Sequence, residues 1–272
     1  EFGEFSEGNT IESGLSQDLR SIAAEAQWGL GIWSTSTGVR WDEHSRSGDA
    51  LTARSAHRIG LGGGVDLRGS IGTGFKAPTL YQLFDPLSGN SELRAERSTS
   101  GELGAELRLP ERGAVLGLTL FSNQVRDQIE WNGSYSNNGR TLVEGAEWSA
   151  RKDWGAVDLR VAATRLFVAR NELTRADLAQ RPKLAIAWNP GWDVNPKLRL
   201  DGQFRFHGKR MNGMPSVELP SYTLVDLGAR WQWSPGLTLS GRIENALDRK
   251  YEEVFSYATP GRSITLGIEG AL

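Results

Sequence analysis

The sequence predicts an all-β chain, an antiparallel up-and-down transmembrane β-barrel with about 13–14 strands present. Three observations point there. Apolar and polar residues alternate with a period of two along most of the 272 residues. Tight links rich in Gly and Pro take turns with longer ones. Trp and Tyr gather toward the ends of the alternating runs, not their middles.

The runs fall near 17–28, 32–43, 51–61, 65–76, 97–109, 114–131, 140–152, 155–169, 182–189, 197–207, 222–233, 237–249 and 262–271. The stretch Glu1–Ser6 reads as the tail of a fourteenth. Leu19, Ile22, Ala23 and Ala26 also fit an amphipathic helix over 17–28, and 171–180 has room for a helical turn. Gly69, Gly72 and Gly74 read as places where a strand bends or another backbone comes close. The short links are 29–31, 62–64, 110–113, 153–154 and 234–236, with 190–196 somewhat longer. The long ones are 44–50, 77–96, 132–139, 170–181, 208–221 and 250–261. Long links on one side and short ones on the other describe a meander; a sandwich needs long crossovers among its short links.

Alternation does not say which face is buried. In a soluble β-sandwich binding module, the alternative architecture, the apolar face is the core. In a barrel it meets lipid, and the charged face lines the lumen. Leu198, Leu200, Phe204, Phe206, Val225, Leu227, Ile264 and Leu266 are then lipid-facing, with Leu200 near the bilayer middle. Arg199, Asp201, Gln203, Arg205, Arg230, Arg242 and Glu244 are lumen-facing and expected to pair across strands. Two aromatic belts favour the barrel: Trp28, Trp33, Trp154, Trp188, Trp192, Trp231 and Trp233 on the short-turn side; Trp41, Trp131, Tyr222, Tyr251, Phe255 and Tyr257 on the long-loop side. Runs of 11–15 residues exceed ordinary globular strands.

Composition closes other doors. The formal net charge is −2, mean hydropathy is −0.41 and there is no Lys/Arg cluster, so phosphate-driven nucleic-acid binding is not expected. Zero Cys removes disulfides, thiolate metal sites and Cys nucleophiles. His44, His57 and His207 lack metal spacing, and Gly60-Leu-Gly-Gly-Gly64 reads as a hairpin, since no helix follows. The acidic pairs Asp42–Glu43 and Glu252–Glu253 read as solvated. No metal, cofactor or enzyme activity is expected.

One stretch carries more. Residues 71–84 read Ile-Gly-Thr-Gly-Phe-Lys-Ala-Pro-Thr-Leu-Tyr-Gln-Leu-Phe, and Gly89-Asn-Ser-Glu-Leu-Arg-Ala-Glu96 follows. Then come Val143-Glu-Gly-Ala-Glu147, Glu244-Asn-Ala-Leu-Asp-Arg-Lys-Tyr251 and Tyr257-Ala-Thr-Pro-Gly-Arg-Ser263. In this order they resemble the barrel of TonB-dependent outer-membrane receptors, with spacing most like the cobalamin receptors. The resemblance marks Phe75, Lys76, Ala77, Pro78, Gly89, Asn90, Glu96, Gly145, Glu147, Asn245, Asp248, Tyr251, Gly261 and Arg262 as structural motif positions. It implies a bacterial outer-membrane receptor barrel, a single domain over 1–272, taking cobalamin or a siderophore. A haem receptor and a plug-less passive pore are the alternatives. Family barrels have 22 strands around an N-terminal plug, and TonB acts through that plug. Neither plug nor TonB box is among these residues, so an N-terminal half, or a partner chain, is expected to complete the wall unless about fourteen strands close alone. Leu272 stands where the family carries an aromatic residue.

Overall fold

The computed structural model describes residues 15–270. The suggested strand at Glu1–Ser6 and the terminal Leu272 lie outside them. The chain is almost entirely strand: β1 Leu19–Leu30, β2 Trp33–His44, β3 Gly48–Gly62, β4 Val65–Lys76, β5 Glu96–Leu109, β6 Ala114–Trp131, β7 Tyr135–Asp153, β8 Val157–Asn171, β9 Leu184–Asn195, β10 Leu198–His207, β11 Arg210–Met211, β12 Glu218–Leu219, β13 Tyr222–Ser234, β14 Leu237–Glu244 and β15 Ser263–Gly270. One short helix, α1 (Leu80–Phe84), opens the longest loop, and a 3₁₀ turn fills Pro110–Arg112.

Thirteen strands form one antiparallel sheet in chain order, β1 through β10 followed by β13, β14 and β15. β11 and β12 make a separate two-residue hairpin. Among the described residues no other sheet covers the apolar face, so no sandwich core exists. Register carries the apolar set from strand to strand: Val161 opposite Trp188, Trp188 opposite Phe204, Phe204 opposite Val225. Further along, Leu227 pairs with Ile243 and Ile243 with Ile264. This face is open. Leu103 is 69% exposed and Leu266 82%. Such a continuous apolar surface is far larger than water-soluble monomers tolerate and suits hydrocarbon.

Several expectations need correction. Residues 19–30 are strand, not helix, because in-register pairing with β2 runs their whole length. No helical turn forms in 171–180; Arg170 bridges to Asp177 instead. Two expected long links are three-residue hairpins. At 45–47 the His44 Nδ1 accepts from the Arg46 and Ser47 amides (3.3 and 3.0 Å), and Gly48 takes φ +73°. At 132–134 Gly133 takes φ +83°, and the polar segment that follows extends β7 to Tyr135. β9 does not stop before Pro190 but runs to Asn195, with Pro190 opposite Leu159. β14 ends at Glu244, because Asn245 is left-handed (φ 47°). Sequence reading missed α1, whose capping box joins Thr79 and Gln82 (3.1 and 3.0 Å), and the β11–β12 hairpin.

Candidate functional site

The charged face is an ion-pair lattice. Arg58 and Arg108 grip Asp66 from both sides at 2.8 and 2.7 Å. Arg199 spans Asp158 (2.5 Å) and Asp193 (3.1 Å). Asp226, only 3% exposed, accepts from Arg205 at 2.8 Å, Arg242 at 3.5 Å and the Asn245 amide at 2.9 Å. A buried carboxylate is tolerable when partnered this fully. Arg242 also meets Glu244 (3.4 Å). Asp201 lies against Gly228 and Gln203 opposite Asp226, while Arg230 faces Arg199 across β10–β13. Leu198, Leu200, Phe204, Phe206, Val225, Leu227, Ile264 and Leu266 all stand on the opposite, apolar face. Leu200, expected at mid-membrane, pairs with Trp192, two residues above the turn-side Leu198, and so belongs near the short-turn aromatic belt.

At the long-loop end of this charged face the side chains change character. His207 and Tyr222 are cross-strand partners on the polar phase and stack at 4.9 Å. Tyr222 packs on Tyr251 at 4.5 Å, and the Arg210 guanidinium lies over the Tyr222 ring at 5.1 Å. Arg210 also donates to the Glu252 carbonyl, and the Tyr222 hydroxyl donates to Glu253 (3.4 Å). Asn212 accepts from the Phe255 amide (3.2 Å), joining the 208–221 loop to the 245–262 loop. Tyr222 and Arg210 are buried inside the cluster, so His207 and Tyr251, packed against Tyr222, are the rings with open surface for a conjugated ligand. Tyr222, expected in the lipid-side belt, is instead buried on the charged face. The signal was present: it falls in phase with Asp226, not with Val225. His207 and Arg210 were missed as members of this cluster because it is assembled by loops 40 residues apart, as the Arg210–Glu252 separation of 42 shows.

The motif residues clasp loops to the wall. β4 ends at Phe75–Lys76, where Arg97 lies over the Phe75 ring at 5.8 Å and Lys76 meets Glu96 at 3.4 Å. Glu96 also accepts from the Ile129 amide (3.0 Å). Past Ala77, Pro78 is fully buried. Gly89 presses so closely on Asp85 that a Cβ there would come within 2.5 Å of its backbone nitrogen. Asn90 donates to the Tyr135 carbonyl (3.0 Å), and Asn137 exchanges bonds with the Arg94 backbone (2.7 and 2.8 Å). The 77–95 loop is thus tied to the β6–β7 hairpin. Gly145 sits at the β7–β8 bulge, where a side chain would strike the Arg165 carbonyl. Glu147 is between Thr119 and Thr164. Asn245 donates to the Arg249 and Pro260 carbonyls (3.0 and 3.4 Å) and accepts from the Arg249 amide (2.8 Å). Asp248 accepts from the Arg262 amide (3.0 Å), with Gly261 packed against the same carboxylate. That bond and nearby Lys250 hold the Asp248 carboxyl below its ordinary range. Ser88 does the same for Asp85.

Comparison with known proteins agrees with this architecture. The family model "TonB dependent receptor-like, beta-barrel" matches residues 3–246. The vitamin B12 transporter BtuB of Vibrio vulnificus is 27% identical over 254 residues, 91% of this chain and 41% of the relative. That of Vibrio cholerae is 26% identical, covering 97% and 43%. A variant of the ferric enterobactin receptor PfeA of Pseudomonas aeruginosa superposes with TM-score 0.83 at 22% identity, over 94% of this chain and 45% of that one. The siderophore receptor PirA of Acinetobacter baumannii gives 0.84 at 18% identity, over 97% and 47%. This chain therefore spans less than half the length of these relatives. Members of the family are non-enzymatic transport proteins of the Gram-negative outer membrane. The chain belongs to the TonB-dependent receptor β-barrel family.

Proposed function

We propose that this chain forms part of the wall of an outer-membrane receptor for a corrinoid. Its apolar face lies in lipid and its charged face lines the lumen. The observation that carries the reading is the His207–Tyr222–Tyr251–Arg210 cluster at the long-loop end of the charged face. The part-exposed His207 and Tyr251 rings, backed by buried Tyr222 and Arg210, suit stacking against a large conjugated ring. Similarity to vitamin B12 transporters favours a corrinoid over an iron chelate, while the likeness to siderophore receptors speaks for the fold. β1 and β15 each leave one edge unpaired among the described residues. A sheet in hydrocarbon needs those edges paired, so further strands complete the wall and a plug supplies the coupling to TonB.

The test is calorimetric titration of the receptor that contains this wall with cyanocobalamin and with a ferric catecholate. Corrinoid binding that weakens in Tyr251→Ala is the expected result. Absence of corrinoid binding at micromolar concentration overturns the substrate assignment, and catecholate binding in its place moves the receptor to the siderophore class.

A further inference from the structure

The apolar face does not stay apolar to its long-loop edge. Ala163 pairs with Ile186 and, one pleat higher on the same face, Arg165 pairs with Leu184. Phe206 stands beside Ile186 on β10. Above this floor a cavity of about 370 Å³ opens between the 172–183 and 208–221 loops. Arg165, Arg181, Lys183 and Lys209 line it beside Leu184 and Phe206. Two acidic side chains also line it, and each is already engaged: Asp177 with Lys183 (2.9 Å) and Glu218 with Lys209 (2.8 Å). Arg165 and Arg181 have no carboxylate within ion-pair distance among the described residues. The cavity therefore carries excess positive charge over an apolar floor.

Its walls are fixed. The Leu178 amide donates to the Ala169 carbonyl (2.9 Å) and the Gln180 amide to the Met211 carbonyl (2.7 Å), locking the 172–183 loop both to β8 and to β11 in the 208–221 loop. The same edge holds a second concentration of charge. Arg97 and Arg126 oppose each other on the face that carries Phe75. Like charges directly opposite on neighbouring strands repel unless an anion comes between them. Lone arginines on a lipid-facing surface are costly at depth and favourable where anionic headgroups begin.

We propose that this cavity binds the phosphorylated headgroup of an outer-leaflet lipid. Arg165 and Arg181 form charge-assisted bonds to phosphate oxygens, and the acyl chains run down the column Leu184, Ile186, Phe206. The ligand is a lipid rather than free phosphate because the cation site continues without a break into the apolar band. Arg210, which packs on Tyr222 in the lumen-side cluster, also lines this cavity, but the lipid is held by Arg165 and Arg181, so the inference does not depend on which substrate the lumen admits.

The experiment is native mass spectrometry of the receptor extracted in mild detergent from outer membranes. The wild type is expected to retain phosphorylated lipid. Arg165→Ala/Arg181→Ala should cut its occupancy about tenfold, whereas Arg165→Lys/Arg181→Lys keeps most of it and Lys197→Ala, at the short-turn end, leaves it unchanged. Should the double alanine variant fail to fold, Arg181→Glu in the loop replaces it and should also lose the lipid. Unchanged occupancy in the alanine or glutamate variant overturns the proposal. So does equal retention of the enzymatically dephosphorylated lipid, or displacement by millimolar inorganic phosphate, which would make this a free-anion site.

Discussion

At the residue scale, depth and face decide what a substitution costs. Leu227 stands on the apolar face opposite Gly202, above the Trp192 and Trp231 level. Leu227→Arg is expected to destabilise the folded protein by about 2–4 kcal/mol, and Leu200→Arg, beside the belt, by about 0–1 kcal/mol. Gln203→Arg sits opposite Asp226 on the charged face and should be nearly neutral. Urea titration in liposomes measures all three, and equal costs at positions 203 and 227 would contradict the assignment of faces. Asn245 offers a different kind of test. Its side chain makes three bonds from a left-handed backbone while its amide meets buried Asp226. Asn245→Ala removes the side-chain bonds and adds backbone strain, for a loss of about 2–4 kcal/mol, read by the same titration. Much at this scale was readable in the chain: period two separates Leu200 from Asp201 unambiguously. What stayed hidden was Tyr222, whose ring type argued for a lipid boundary while its phase placed it with Asp226.

Elements show where local signals run out. The thirteen alternating runs located the strands of the large sheet, though 17–28 also fitted a helix and β9 was cut short at Pro190, because a period-two run leaves one register that keeps the apolar face together. The hairpins at 45–47 and 132–134 were not, because polar residues continue the ladders past the apolar band, where alternation no longer marks a strand. α1 escaped for the opposite reason: five residues hold too little periodicity, and only its Thr79–Gln82 box announces it. The loops are held by few bonds, which makes them testable. Asn137 joins Arg94 to Asp127 with three of them. Asn137→Ala should make the 77–95 loop a preferred site of limited proteolysis while leaving the wall intact. Acid should release the second clasp. Asp248 has its carboxyl lowered in the folded state, so its contribution is present above the ordinary carboxylate value, about pH 4, and is lost as pH falls through the lowered one. Cleavage within 245–262 is expected to rise below about pH 4, and Asp248→Asn should make that loop equally labile at neutral pH. A cleavage rate independent of pH would remove Asp248 from the clasp.

The molecule as a whole is a wall turned inside out relative to a soluble protein. Leucines and isoleucines lie bare on one side, and arginines and aspartates knit the other. A β-barrel membrane protein requires this, and a soluble sheet forbids it. Residues 1–272 contain no Cys, so a thiol introduced in β10 is unique within this stretch of wall and makes the claim directly measurable. Single cysteines placed in turn at positions 198 to 207 of β10, with the protein in bilayers, can be spin-labelled and exposed to a lipid-soluble and a water-soluble relaxation agent. The account predicts a two-residue alternation: labels at Leu198, Leu200, Gly202, Phe204 and Phe206 relaxed by the lipid-soluble agent, and labels at Arg199, Asp201, Gln203, Arg205 and His207 by the aqueous one. The reverse alternation, or none, would contradict it.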